Sequence, residues 1–216
     1  METRQAMKRL QRLTLATAGL LGFLTLLLGA SLAQEEKPQE KAPPKYVGVA
    51  SCKKCHLKSS IGKQFKIWEE SKHAKAFELL KSEESAAVAK KAGLEAKPFE
   101  APECLRCHTT AWGLDKKLYY GEKFSLEDGV TCEACHGAGE FFAKPADEHL
   151  HKEAADKGYI KPDEKLCRGC HNEESPTWNP EADTTEDGAK VGFDYKSRLK
   201  TIAHSIPEEG EGEGKE

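Results

Sequence analysis

The sequence predicts a mostly α-helical protein with long irregular connections and almost no sheet. Three observations predict it. Apolar residues recur at helical spacing in several stretches, strand-like alternation is nearly missing, and eight cysteines recur in one short motif. A chain of 216 residues has room for one or two domains. With 32% charged and 38% hydrophobic residues it is too polar to cross a membrane many times. Aromatic residues make up only 7%, so a core built from side chains alone would be thin.

Each element has its own reason. Ile61, Phe65, Trp68, Ala76 and Leu80 fall on one helical face, which predicts an amphipathic helix over about 60–81 with His73 at its edge. An Ala- and Lys-rich stretch, about 83–92, predicts a second helix stopped by Gly93. A third runs over about 145–157 before Gly158. Pro162 suits the first turn of a helix leading into the last cysteine pair. Tyr195, Leu199, Ile202 and Ile206 predict a helix over 194–206. Leu118-Tyr119-Tyr120 is the one weak strand signal. Loops fill much of the rest, including 174–192. That is too much irregular chain for an ordinary core, so something besides side chains is expected to fill the interior.

The ends differ from the body. Arg4, Lys8, Arg9 and Arg12 precede an uncharged run from Leu13 to Ala33, and Ala30-Ser31-Leu32-Ala33 offers small residues for cleavage. Residues 1–33 therefore read as an export signal, with an uncleaved anchor over 13–33 as the alternative. Either way the body works outside the cytoplasm, in the periplasm, and meets a membrane only if the signal stays. Cleavage removes both methionines and leaves a net charge of −6. Residues 34–44 read as a flexible leader, 45–206 as the body, and 207–216 as a disordered acidic tail. Within the body, charge is segregated: 45–123 carries net +6 and 124–216 net −11.

The cysteines carry the chemistry. They stand as Cys52-Lys53-Lys54-Cys55-His56, Cys104-Leu105-Arg106-Cys107-His108, Cys132-Glu133-Ala134-Cys135-His136 and Cys167-Arg168-Gly169-Cys170-His171, with none left over. Cys-x-x-Cys-His is the attachment signature of c-type haem. Two cysteines three apart reach the two vinyl groups on one porphyrin edge, and the adjoining imidazole reaches the iron. Two zinc sites would explain the cysteines but not a histidine after every pair. Four local disulfides would suit an oxidising compartment, but thioredoxin-like redox motifs do not normally come four to a chain. The reading is four covalent haem c groups with His56, His108, His136 and His171 as axial ligands. The interior would then be four haems wrapped by short helices and long loops, and the chain without them would be largely unfolded.

His73, His149, His151 and His204 remain as candidates for the other axial positions. His149 and His151 would point about 200° apart on a helix, so one of them is spare. That leaves one iron five-coordinate, and such an iron could bind a small gas.

These residues resemble the tetrahaem cytochrome c-554 family. The resemblance rests on Tyr46-Val47-Gly48, on Trp68-x-x-Ser71-x-His73-Ala74, and on the run from Gly129 to Gly139 around the third site. It implies a mostly helical fold with haems in stacked pairs. It also implies His73 opposite His136, His149 or His151 opposite His56, His204 opposite His171, and an open iron on His108. Family members carry electrons from hydroxylamine oxidoreductase towards other cytochromes. Gly137 and Gly139 fit a close approach of backbone or of a second porphyrin.

The expected function is electron transfer between redox partner proteins, with no catalytic residue assigned. The alternatives are a small nitrogen-oxide reductase or a gas-binding protein using the second haem. Thr109 and Thr110 are the polar residues nearest to it in sequence. No nucleic-acid partner is expected.

Overall fold

Short helices joined by turns make up nearly all the regular structure. The computed structural model describes residues 42–143 and 154–204. These belong to one unit that begins at Ala42. The helices are α1 (Val49–His56), α2 (Gln64–Glu70), α3 (Ala76–Leu79), α4 (Glu83–Lys91), α5 (Pro102–His108), α6 (Lys116–Tyr119), α7 (Cys132–His136), α8 (Glu164–Arg168) and α9 (Tyr195–Ile202). The longest among the described residues, α4, has 9 residues. Helices this short are not stable alone in water, so packing has to hold them. Among the described residues no helix is long and apolar enough to cross a membrane.

Local chemistry sets several boundaries. The Ser82 hydroxyl accepts from Ser85 N to start α4, with Glu83 and Glu84 in the first turn and Lys90 and Lys91 in the last. Asp163 and Asp194 cap α8 and α9 in the same way. Pro102 occupies the first turn of α5, where its missing N–H costs nothing.

The single helix expected over 60–81 is broken. A 3-10 turn at Ser59–Ile61 and α2 are followed by an irregular turn at 71–75 before α3. The periodicity was real, but a distant segment takes over. Val130 N donates to His73 O at 3.1 Å, and Trp68 Nε1 donates to Val130 O at 2.8 Å. Gly129 sits against this turn with φ +77°, where a Cβ would come within 2.9 Å of His73 O. His73 therefore lies in the turn, not on a helical stripe.

Other expectations shift by smaller amounts. Pro162 precedes the Asp163 cap and so lies just outside α8. Leu118 and Tyr119 belong to α6, and only Tyr120 bridges in strand fashion, to Tyr46. The stretch 174–192 contains a two-stranded hairpin, β1 (Asp183–Thr184) and β2 (Lys190–Val191), turning near Gly188. Of the helix expected over 145–157, the described part is a 3-10 turn at Ala155–Lys157, and α9 ends at Ile202. His149, His151 and Ile206 lie outside the described residues, as do the signal, the tail and most of the leader.

The side-chain core is small. Phe77, Leu80 and Leu105 form its main cluster, with Phe99, Cys104 and Trp112 packed against them, and Phe65 and Phe193 are buried apart from it. Leu57, Leu79, Leu114, Leu118, Phe141, Ile160, Leu166 and Leu199 are exposed. A protein this short of internal apolar contacts has surface that a large apolar group could cover.

Candidate functional site

Every Cys-x-x-Cys-His motif runs along or just beyond a short helix. The first closes α1, the second closes α5, and the third is α7 itself; the fourth starts in α8 and ends in the turn after it. On a helix, residues at i, i+3 and i+4 share a face, so both thiols and the imidazole project together.

The motifs meet through their sulfurs. The Cys52 thiol donates to the Cys132 sulfur, which raises the pKa of Cys52 and lowers that of Cys132. The Cys170 thiol donates to Cys107, raising Cys170 and pulling Cys107 down to about 6. Cys135, pushed up to about 11 by burial, lies within electrostatic range of Cys167, and Cys170 lies within range of Cys135. None of the eight cysteines is disulfide-bonded. Among the described residues no three His, Cys, Asp or Glu side chains converge to hold a metal ion.

Three of the motif histidines present Nδ1 to an oxygen acceptor. His108 Nδ1 is 2.8 Å from Ala76 O, and His136 Nδ1 is 3.1 Å from Ile160 O. His56 Nδ1 is 3.3 Å from Gln64 Oε1. An oxygen acceptor at Nδ1 selects the tautomer whose Nε2 carries the lone pair, the nitrogen that would bind iron. The His136 ring stacks on Tyr159 at 5.0 Å, and the His171 ring on Phe193 at 4.7 Å. Burial lowers the pKa of His73 and His136 and keeps these rings neutral, as metal ligation requires. Together the paired thiols, the fixed tautomers and the thin core fit covalent haem.

Two of the other histidines come to the motifs. The ring centre of His73 is 6.0 Å from that of His171, and His204 is 5.8 Å from His136. His73 with His171, and His204 with His136, could each hold one iron were haem bound there. The arrangement is crosswise to the one the resemblance implies, which set His73 against His136 and His204 against His171.

Sequence reasoning missed the residues that hold the third motif. Glu133 is only 3% exposed. Its oxygens accept from Val47 N at 2.8 Å, Gly48 N at 2.9 Å and Gly139 N at 2.7 Å. Burial raises its pKa, against these three hydrogen bonds, which lower it. Its signal was a lone charge within the otherwise uncharged run from Gly129 to the ring of His136. Thr110 and Thr131, fully buried, bond each other at 3.0 Å, and Thr110 Oγ1 also donates to Gly129 O. Thr109 Oγ1 donates to Leu105 O at 2.7 Å. Both hydroxyls beside His108 are thus committed to the backbone. Gly137 takes φ +82°, and a Cβ there would lie 2.7 Å from Gly158 O, the close approach expected of it.

The family model described as "Cytochrome c554 and c-prime" matches residues 51–137, which span the first three motifs. Cytochrome c-554 of Nitrosomonas europaea is 29% identical over 199 residues, covering 83% of this chain and 79% of that protein. No solved structure matches the chain. With the motifs, the helical architecture and both matches in agreement, the chain is similar to the cytochrome c554 family over the stretch that holds its first three motifs.

Proposed function

We propose that this chain is an exported carrier with four covalent haems that passes electrons between two redox proteins in the periplasm. The haems are attached at Cys52/Cys55, Cys104/Cys107, Cys132/Cys135 and Cys167/Cys170, with His56, His108, His136 and His171 as proximal ligands. Residues 1–33 act as the export signal, 34–44 as a leader, 45–206 as the haem-bearing body and 207–216 as a free tail. Bound haem supplies a reversible one-electron couple.

The observation that carries this reading is the run of sulfur contacts. Cys52 meets Cys132, Cys135 neighbours Cys167, and Cys170 meets Cys107. These contacts support a spatial order of first, third, fourth and second sites, each close to the next. Close spacing suits a wire. His73 and His204 serve the third and fourth irons, and the ring distances favour His204 with His136 and His73 with His171. His149 or His151 serves the first iron.

A second reading has an observation of its own. The described non-motif histidines pair with His136 and His171, which leaves the iron on His108 as a place for a small gas. Thr109 and Thr110 give their protons to backbone carbonyls, which favours a carrier over a reductase.

The test is direct. Protein matured by a host that attaches c-type haem should show the intact mass of residues 34–216 plus four haems. It should oxidise and reduce reversibly through four one-electron steps. Fewer haems, or zinc in their place, overturns the proposal. Nitric oxide added to reduced protein should perturb at most one haem, without turnover.

A further inference from the structure

The helix α1 has two unlike faces, and only one serves the first motif. Cys52, Cys55 and His56 project from one side. Ala50, Lys53, Lys54, Leu57 and Lys58, spaced three, one, three and one, project from the other. All five are exposed, Leu57 at 45%. They line a shallow depression of about 430 Å³.

This face is cationic and uncompensated. From Lys45 to Trp68 the chain has six lysines and no acid. Among the described residues no carboxylate pairs with Lys53, Lys54, Lys58 or Lys63, whereas Lys66 pairs with Glu70. Lys53 Nζ rests over the Phe65 ring at 4.9 Å, which steadies the side chain without cancelling its charge.

We propose that this outward face of α1 is a docking surface for an acidic redox protein. An apolar centre, Ala50 and Leu57, inside a rim of lysines is the layout of a transient protein interface. Three unpaired cations steer an acidic partner and set its encounter rate. The face lies one helix thickness, about 10 Å, from the first pair of thiols. Docking here would bring a partner close to the site at one end of the proposed series. That last step rests on the proposed haem at Cys52 and Cys55; the docking itself does not.

A second copy of this chain is a poorer occupant. The acids around the fourth motif are largely engaged already: Glu164 with Arg168, Glu174 with Arg106, Asp183 with Arg198 and Glu186 with Lys200. A concave patch of three lysines also suits a protein surface better than a flat membrane.

The experiment uses the haem-loaded full chain and a reduced plant-type ferredoxin as the acidic probe. Stopped-flow mixing gives the rate of electron transfer as ionic strength is raised. The wild type should slow steeply with salt. The triple variant Lys53→Glu, Lys54→Glu, Lys58→Glu should be at least about tenfold slower at low salt and nearly salt-independent. A control of equal net charge, Lys75→Glu, Lys90→Glu, Lys91→Glu, should stay within about twofold of wild type. Equal slowing in both triples, or none in the first, overturns the proposal. So does lysine-dependent self-association at low salt, or lysine-dependent binding to phosphatidylserine vesicles without an effect on ferredoxin. Haem content per chain, and peptide mass at Cys52–Cys55, are read on every variant. A missing first haem with a normal salt-dependent ferredoxin complex would sink the haem assignment and leave the docking face standing.

Discussion

The third and fourth motifs share the same Cys-x-x-Cys-His pattern but are built by different means. Around the third, α7 is clasped by chain from far away. Glu133 holds Val47 and Gly48, 86 and 85 residues earlier, and Thr131 holds Thr110. Around the fourth, support is mostly local or on the surface. Asp163 caps α8, Arg168 pairs with Glu164 four residues back, and Asn172 donates to Arg168 O and Gly169 O. Its distant ties are an exposed ion pair, Arg106 with Glu174, a bond from Arg168 to Phe193 O, the sulfur contact of Cys170 with Cys107, and the ring contacts of His171 with Phe193 and His73. Buried polar groups without partners cost far more than exposed charges do. The third motif is therefore the brittle one, and the fourth should tolerate change.

The sharpest way to break this contrast is Glu133→Ala. It strands three backbone N–H groups at about 1–3 kcal/mol each, enough to unfold a marginal domain. Thermal unfolding and haem content should show loss of both the first and third sites, because Val47 and Gly48 lead into α1. Gly137→Ala comes next. The new Cβ meets Gly158 O in a left-handed conformation, and a loss of roughly 2–3 kcal/mol is expected in denaturant titration. Asp183→Asn probes the fourth region. Arg198 first, then Asp194 N, hold the Asp183 carboxyl below its usual range. A lowered folded pKa stabilises above the ordinary carboxylate value and stops doing so as pH falls through the folded one. The variant should be about 1 kcal/mol less stable at neutral pH and equal to wild type in acid. Arg106→Ala should cost least, within about 1 kcal/mol, and salt should erase the difference. A larger loss there than for Gly137→Ala would overturn the comparison.

What was legible follows the same division. α4 and α9 were readable because their signals are local: an Ala- and Lys-rich run stopped by Gly93, and apolar residues at helical spacing. The break at 71–75 was not, because it is imposed by Gly129 and Val130, more than fifty positions on. The hairpin at 183–191 had a signal, Asp187-Gly188, but strands of two residues gave no alternation to flank it. The motif cysteines and their histidines were plain in the sequence. The partners of those histidines were not: Ala76 O and Ile160 O are backbone atoms, and no residue type encodes them. His73 and His204 were visible as candidates, but their crosswise approach to His171 and His136 depends on how the turns close.

The juxtaposed sulfurs have a consequence for biogenesis. A polypeptide that collapsed before receiving its prosthetic groups would hold the Cys52 thiol against Cys132 and the Cys170 thiol against Cys107. In an oxidising compartment each such contact would invite a bond between two attachment points, blocking both at once. With haems at the proposed positions, assembly has to run in one direction, with the nascent thread kept open and reduced until every sulfur is occupied.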